Sequence, residues 1–484
     1  MASPAAVKPP PPLTDEILPI LILVAVVAFV VSRLPKVQLG HTREYRMRRA
    51  LNWLPLGLTY AFLYMGRYNL TVLKNVGGIT QGAFGTIDGI GALTYGLAFL
   101  LNGPLTDRWG GRVTILIAAA GSAIANVALG LMYANHVEST TAYAIVFGVN
   151  MYFQSFGAVS IVKVNAAWFH VRERGTFGGI FGILISLGVY FAFDWGTRIA
   201  GVSGGAFEWL FYVPAMILVV FFVLSGTIVR DRPSAAGFKD FELGDASHPH
   251  GESAVAVIKR LLTNPVIIMI ACIEFCSGFL RQAITKWYPD FAKAVGAGDT
   301  VIRNHWGMVL CIAGITGGMF AGVISDHLFQ SRRAPVSAVL YGIMLAGAVL
   351  IIPLLGAPMT IGWVIAFMGM AIIGVHGMLS GTASADFGGL KNAGIAVGLI
   401  DGFVYLGTAV QDFVYGATLP EKGTEAAKSI DNWYAWPEAM LPAVVIGLVL
   451  AILLWNARPQ KPTVKVVEVA PPVELPRAQA MASE

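Results

Sequence analysis

Thirteen predominantly apolar stretches of about twenty residues recur along the chain, and nothing else in the sequence narrows its possible folds as sharply. Roughly 20 helical residues cross the hydrocarbon core of a bilayer. Runs of that length, repeated this often, are too long and too numerous for helices buried in a soluble core. Transmembrane barrel strands would show short segments of alternating polarity, and these runs do not alternate. Only 13% of residues are charged, about half the share found in soluble domains. The chain therefore reads as an all-α, polytopic membrane protein whose first partner is the lipid bilayer.

The first run, 17–34, is predicted to span the membrane ahead of everything else, and residues 1–16, with Pro9 to Pro12, read as a disordered start without a cleavable signal. Twelve further helices are predicted at about 52–73, 83–105, 113–133, 142–165, 176–196, 208–229, 265–289, 306–324, 335–356, 360–383, 393–415 and 437–456. Lys36, Arg43, Arg46, Arg48 and Arg49 form the densest cluster of positive charge. Short loops rich in Lys and Arg face the cytoplasm, so this segment is expected inside and the N-terminus outside. Alternation then puts Arg108, Arg112, Arg172, Arg174, Arg332, Arg333 and Lys391 inside as well. The polar stretch 230–264 reads as a cytoplasmic linker between six-helix halves at 50–229 and 265–456, and 457–484 as a disordered cytoplasmic tail.

An internal repeat supports two related halves. Gly103-Pro-Leu-Thr-Asp107-Arg108, continuing to Arg112, has its counterpart in Gly322-Val-Ile-Ser-Asp326 followed by Arg332 and Arg333. Asp107 and Asp326 are 219 positions apart, as are Gly175 and Gly394, while Arg67 and Arg281 are 214 apart. Pseudo-symmetric halves are the architecture of alternating access.

At these residues the chain resembles the major facilitator superfamily, whose loop between the second and third helices looks like Asp107-Arg108 to Arg112. Further segments resemble one branch, the organophosphate:phosphate antiporters, which include bacterial glycerol-phosphate and hexose-phosphate transporters. They are Tyr64-Met-Gly-Arg67-Tyr68-Asn69, Gln154 with Trp168 to Gly175, Arg230-Asp231-Arg-Pro233 with Gly237, and Asn264-Pro265 leading to Arg281, Trp287, Tyr288 and Pro289. The resemblance covers about residues 52 to 456 and leaves 17–34 outside the twelve-helix pattern. It implies exchange of a phosphorylated small molecule for inorganic phosphate, with the matching arginines forming the phosphate site. A site lysine and a site histidine of the glycerol-phosphate transporters correspond here to Phe99 and Ala167.

The residues themselves point the same way. Arg67 lies 14 residues beyond Trp53, about 21 Å along a helix, and Arg281 lies at similar depth in the other half. An intramembrane arginine is costly without a cavity or partner, and two facing one cavity can clamp a phosphate through bidentate, charge-assisted bonds. The alternative is structural pairing with Glu274 or Asp401. Tyr64, Tyr68, Asn69, Gln154, Trp287 and Tyr405 are candidates to orient the organic portion, and Lys163 to supply a further positive charge. Lys286 is expected to point away from Arg281, and Asp88 to act near the outer end as a gate or ion-pair residue. Asp401, one turn before Tyr405, Glu274, two turns before Arg281, and His376 are read as substrate contacts, charge partners or proton sites. Asp107, Arg108, Arg112, Asp326, Arg332 and Arg333 are expected to gate the cytoplasmic side.

Other classes find little support. The formal charge is +5 without a dense basic tract, which argues against nucleic acid, and Cys272, Cys276 and Cys311 all fall in apolar segments, which argues against a zinc site. No phosphate-binding loop, metal motif or nucleophile elbow is present, so neither enzyme activity nor a cofactor is expected. The expectation is a monomeric secondary transporter of a bacterial-type inner membrane, exchanging a small organophosphate (glycerol, triose or sugar phosphate) for phosphate. The alternatives are a proton-coupled importer of an anionic metabolite and a transporter-like membrane sensor of phosphate esters.

Overall fold

Inside a bilayer no water is available to the backbone, so each apolar run must satisfy its own N–H and C=O groups as a helix. The computed structural model describes residues 13–33, 41–169, 174–240, 254–329, 332–383 and 393–457. The N-terminal half holds α2 (Arg43–Val76), α3 (Gln81–Trp109), α4 (Gly111–Ala134), α5 (Thr140–Trp168), α6 (Arg174–Tyr190, continued by a π-helical turn Phe191–Trp195) and α7 (Trp209–Ile228). It is preceded by α1 (Leu13–Arg33). After a short helix α8 (Ala254–Thr263) come α9 (Pro265–Ala294), α10 (Trp306–Leu328), α11 (Arg333–Leu354), α12 (Pro358–His376), α13 (Ala393–Thr418) and α14 (Ala435–Leu453). Among the described residues eleven helices are long and apolar enough to cross a membrane. The twelfth is α2, 34 residues long, whose hydropathy is lowered by its basic start and by Arg67 and Lys74.

Local chemistry sets the ends. Thr42 Oγ1 accepts from Tyr45 N (3.2 Å) at the start of α2, and Gly77, with φ +91°, closes it in the left-handed conformation. Asn264 Oδ1 accepts from Val266 N (3.0 Å) at the start of α9, with Pro265 in the first turn.

The two halves repeat one packing scheme. The pairs α3–α5, α4–α7, α2–α6 and α2–α7 correspond to α10–α12, α11–α14, α9–α13 and α9–α14. The halves meet where the second helix of one touches the fifth of the other, at the seams α3–α13 and α6–α10. Small residues permit the first seam: a Cβ on Gly85 would stand 2.6 Å from Gly416 Cα. Within the second half, α9 and α13 approach as closely. A Cβ on Gly278 would lie 2.0 Å from Val404 O, and one on Gly407 2.0 Å from Phe275 O. Gly278→Ala is therefore expected to cost about 1–3 kcal/mol through backbone displacement, read as a lower melting temperature of the purified protein.

Two elements add to the twelve. In α1, Leu23 and Val30 pack on Ile183 and Tyr190 of α6 and on Met308, Cys311 and Ile315 of α10, so this helix lies along the α6–α10 seam. The stretch 230–264, read as a polar linker, contains α8. Its Val257 and Leu261, four residues apart, bury against Ile267, Ala396 and Leu399.

Candidate functional site

Arg67 stands in the middle of α2, buried among hydroxyls and an amide. Its Nε donates to Gln154 Oε1 (3.1 Å), its Nη2 to Tyr95 OH (3.0 Å), and its Nη1 to the Tyr405 hydroxyl across the interface between halves. The guanidinium also lies 4.4 Å from the Tyr64 ring centroid and 4.6 Å from that of Tyr95. Among the described residues none of its bonding partners is a carboxylate, so its charge is solvated by dipoles and π-faces rather than neutralised. These neutral contacts fix the orientation of the fork and, among the described residues, leave two of its five N–H groups without a hydrogen bond.

Arg281, on α9, is barer still. Among the described residues it makes no hydrogen bond or ion pair, and its Nε is buried without a partner. Tyr68, Tyr405, Tyr64 and Glu274 lie within electrostatic range of its guanidinium. Tyr68, next to Arg67 in the chain, exchanges hydrogen bonds with Gln282, next to Arg281, at 3.0 and 3.4 Å. The two arginines therefore sit at one level of the two halves, bracketed by this contact and by Tyr405.

A second group of charges adjoins them. Glu274 is fully buried; its Oε2 pairs with His376 Nδ1 (2.9 Å), while its Oε1 has no partner among the described residues. Asp401 accepts a hydrogen bond from Ser380 and lies within electrostatic range of His376, Glu274 and Arg281. Glu274, Arg281, His376, Asp401 and Tyr405 thus belong to one neighbourhood contributed by α9, α12 and α13.

From the arginines to the end of the bundle away from the Asp107 loop, the halves are bridged by buried charges. Lys286 of α9 pairs with Asp88 of α3 and with Asp412 of α13 (2.8 Å). Asp290 of α9 takes Lys74 of α2 at 2.7 Å and Lys422, just past α13, at 3.1 Å. The two triads carry opposite net charge and touch, since Lys74 Nζ donates to Lys286 O (2.9 Å). Lys74 also lies 3.8 Å from the centroid of the Trp287 ring. Two carboxylates complete the closure in a symmetric way. Asp194, in the π-turn after α6, accepts from Gly307 N (2.7 Å) and Met308 N (3.0 Å) at the start of α10. Glu421, past α13, accepts from Gln81 N and Gly82 N (both 2.8 Å) at the start of α3. Each half thus offers a carboxylate from the end of its fifth helix to the N-terminus of the other half's second helix, where unpaired N–H groups and the helix dipole favour an anion.

The remaining predicted residues lie elsewhere, for reasons of helical phase. Asn69, two residues and about 200° beyond Arg67, donates to Asn126 Oδ1 (2.6 Å) inside the first half. Trp287 is packed against Phe84, Lys74 and Tyr415 in the far-end closure. Lys163 pairs with Asp107 (2.6 Å) at the opposite, basic end, both about half exposed. An exposed pair contributes little, so Lys163→Met is expected to lower the melting temperature of the purified protein by no more than about 2 °C. Arg108 is exposed, while Arg112 N donates to Asp231 Oδ1 (2.8 Å) and its guanidinium to Gly226 O. Arg333 Nη1 donates to Ser325 Oγ (2.9 Å) and Arg332 Nε to Phe329 O (3.3 Å). The side chain of Asp326 lies outside the described residues, as do Arg172, Lys391, 1–12 and 458–484.

Four residues of the two triads were not singled out from sequence: Lys74, Asp290, Asp412 and Lys422. The predicted helices ended at 73 and 289, one residue short of Lys74 and Asp290, which made both look like loop charges. The usable signal was the rule that intramembrane charges occur in compensating sets. Tyr95 was also missed, though it is the hydroxyl seven residues along α3 from Asp88, on the same face.

Comparisons with known proteins follow from this geometry. The profile described as Major Facilitator Superfamily matches residues 56–411. The glycerol-3-phosphate transporter of Bacillus subtilis is 25% identical over 441 residues, covering 85% of this chain and 93% of its own length. The membrane sensor protein UhpC of Escherichia coli is 25% identical over 445 residues, covering 87% and 94%. The crystal structure of a bacterial homolog of the human lysosomal transporter Spinster, inward-facing and unoccupied, superposes with a TM-score of 0.63 at 15% identity, over 86% of this chain and 97% of that one.

Proposed function

We propose, for a chain that belongs to the Major Facilitator Superfamily, that it is a secondary active transporter that exchanges a small phosphorylated metabolite for inorganic phosphate by alternating access. Similarity to a glycerol-3-phosphate transporter supports a small phosphorylated or anionic solute. The observation that carries the reading is the arginine pair. Arg67 has no carboxylate among its described partners, and Arg281 has no polar partner among the described residues at all. An intramembrane guanidinium without a counter-charge is costly, the more so with a buried, unpartnered Nε–H as on Arg281, and a phosphoryl group offers oxygens for bidentate bonds to both arginines.

The mechanism follows from differential contacts. Phosphate bridging Arg67 of one half and Arg281 of the other draws the halves together, whereas in the empty carrier nothing joins the two guanidinium groups. A ligand moves such an equilibrium only by interacting unequally with its states. Exchange is then obligatory because the empty carrier reorients slowly. The buried triads and the two crossed helix caps would close the outer side in the present conformation, with the basic end facing the cytoplasm of a bacterial inner membrane. Arg67 and Arg281 come from a single chain, so a monomer is the working unit.

The test is counterflow of labelled phosphate in phosphate-loaded liposomes against a panel of organophosphates. Saturable exchange supports the antiporter. Uptake that requires only an imposed proton gradient replaces it with the proton-coupled importer, for which the Glu274–His376 pair is the supporting observation. Ligand binding without flux replaces it with a sensor, the activity named for the relative UhpC.

A further inference from the structure

The two arginines do not stand in a purely cationic site. Glu274 shares α9 with Arg281, seven residues away, about 10 Å along the axis and on nearly the same face. Asp401 lies one turn from Tyr405, whose hydroxyl receives a bond from Arg67. Asp401 is also within electrostatic range of Arg281, His376 and Glu274. Two guanidinium groups thus share the neighbourhood with two carboxylates, one of them paired with His376, and a dianionic phosphate ester entering alone would add its negative charge beside them. The Glu274 side chain, 0% exposed, keeps Oε1 without any hydrogen bond among the described residues. Asp401 has one described donor, the Ser380 hydroxyl. The neighbourhood therefore offers donors at one end, on the arginines, and unfilled acceptors at the other.

We propose that the transported organophosphate carries a cationic amino group, its phosphoryl end held by Arg67 and Arg281 and its ammonium received by Asp401 and Glu274. The substrate class is an aminoalkyl phosphate or phosphonate, and the inference rests on the phosphate-exchange reading above. An ammonium supplies three N–H donors, which matches the free carboxylate oxygens and offsets the added negative charge as a neutral alcohol cannot. Four residues, about 6 Å along the helix, separate the levels of Asp401 and Tyr405, which suits a spacer of two or three carbons.

The experiment uses the full chain in phosphate-loaded liposomes and compares 2-aminoethyl phosphate with 2-hydroxyethyl phosphate, a near-isosteric pair differing in the ammonium. The expected result is half-maximal exchange at a concentration at least tenfold lower for the amine, with the ratio collapsing toward one in Asp401→Asn and in Glu274→Gln. The ratio is taken within each variant, so a general loss of rate does not mimic the effect. Equal or stronger exchange with the hydroxyl compound, alongside normal phosphate:phosphate exchange, overturns the inference and leaves the antiporter intact. Uptake of the hydroxyl compound driven by a pH gradient alone, abolished by Asp401→Asn, also overturns it by assigning the carboxylates to protons. Absence of phosphate:phosphate exchange in well-folded protein removes the underlying reading instead.

Discussion

Arg281→Ala is expected to abolish phosphate exchange, by a factor of a hundred or more, while leaving the helical bundle as stable as before. Arg281 makes no hydrogen bond or ion pair among the described residues and keeps a buried, unpartnered Nε, so the fold loses no polar contact with it. A bound phosphate, by contrast, loses two charge-assisted bonds of roughly 1.5–3 kcal/mol each, and every 1.4 kcal/mol is about tenfold in affinity. Arg67→Ala should look different. It strips partners from Gln154, Tyr95 and Tyr405 and removes the cation from the Tyr64 and Tyr95 faces. That is a structural loss of about 2–4 kcal/mol, so this variant should lose exchange and melt several degrees lower. Arg281→Lys keeps the charge without the planar fork and should retain weak exchange. Thermal unfolding and liposome counterflow on the three variants separate these effects. Equal destabilisation by Arg67→Ala and Arg281→Ala would contradict the description of Arg281 as unpartnered.

Lys286→Met is expected to open the far end. The substitution leaves the buried carboxylates of Asp88 and Asp412 facing each other with no cation between them. Removing one partner of a buried ion pair costs about 3–5 kcal/mol. In an alternating carrier that cost falls on the closed conformation, where both carboxylates are dry, and not on the open one, where water reaches them. The population should therefore shift toward the open form by about a hundred- to a thousandfold. A cysteine placed at Ala92, one turn from Asp88 and 2% exposed, reports this directly in a background where Cys272, Cys276 and Cys311 are replaced. It should resist a membrane-impermeant thiol reagent applied at the far end in the parent and react in Lys286→Met. Asp412→Asn, which keeps Lys286 paired with Asp88, should react far less. Equal reactivity in all three would remove the triads from the closure.

The sequence carried the topology because its strongest signal, apolar runs separated by short loops, is also the physics that fixes the fold in a bilayer. All twelve repeat helices form over the predicted spans, although α2 starts at Arg43, nine residues before the predicted 52, and the offset between Arg67 and Arg281 already tied one residue in each half to the same depth. What it hid depended on helix ends and on helical phase across the interface. Continuation of α2 to Val76 and of α9 to Ala294 turns Lys74 and Asp290 from loop charges into buried partners. Residue type alone did not separate Tyr95, which grips Arg67, from Trp287, which packs in the closure. The crossed caps of Asp194 and Glu421 were invisible because their acceptors are backbone N–H groups, which leave no mark in composition. For α8 the mark was present, as the i, i+4 pair Val257 and Leu261, but too short to stand out from a polar stretch.

The central claim is that Arg67 and Arg281 together hold phosphate. Equilibrium binding of inorganic phosphate to purified protein, followed by calorimetry, tests it without requiring transport. The expected result is one saturable site per chain in the parent and at least a hundredfold weaker binding in Arg281→Ala at an unchanged melting temperature. Undiminished phosphate binding by folded Arg281→Ala protein would contradict the account.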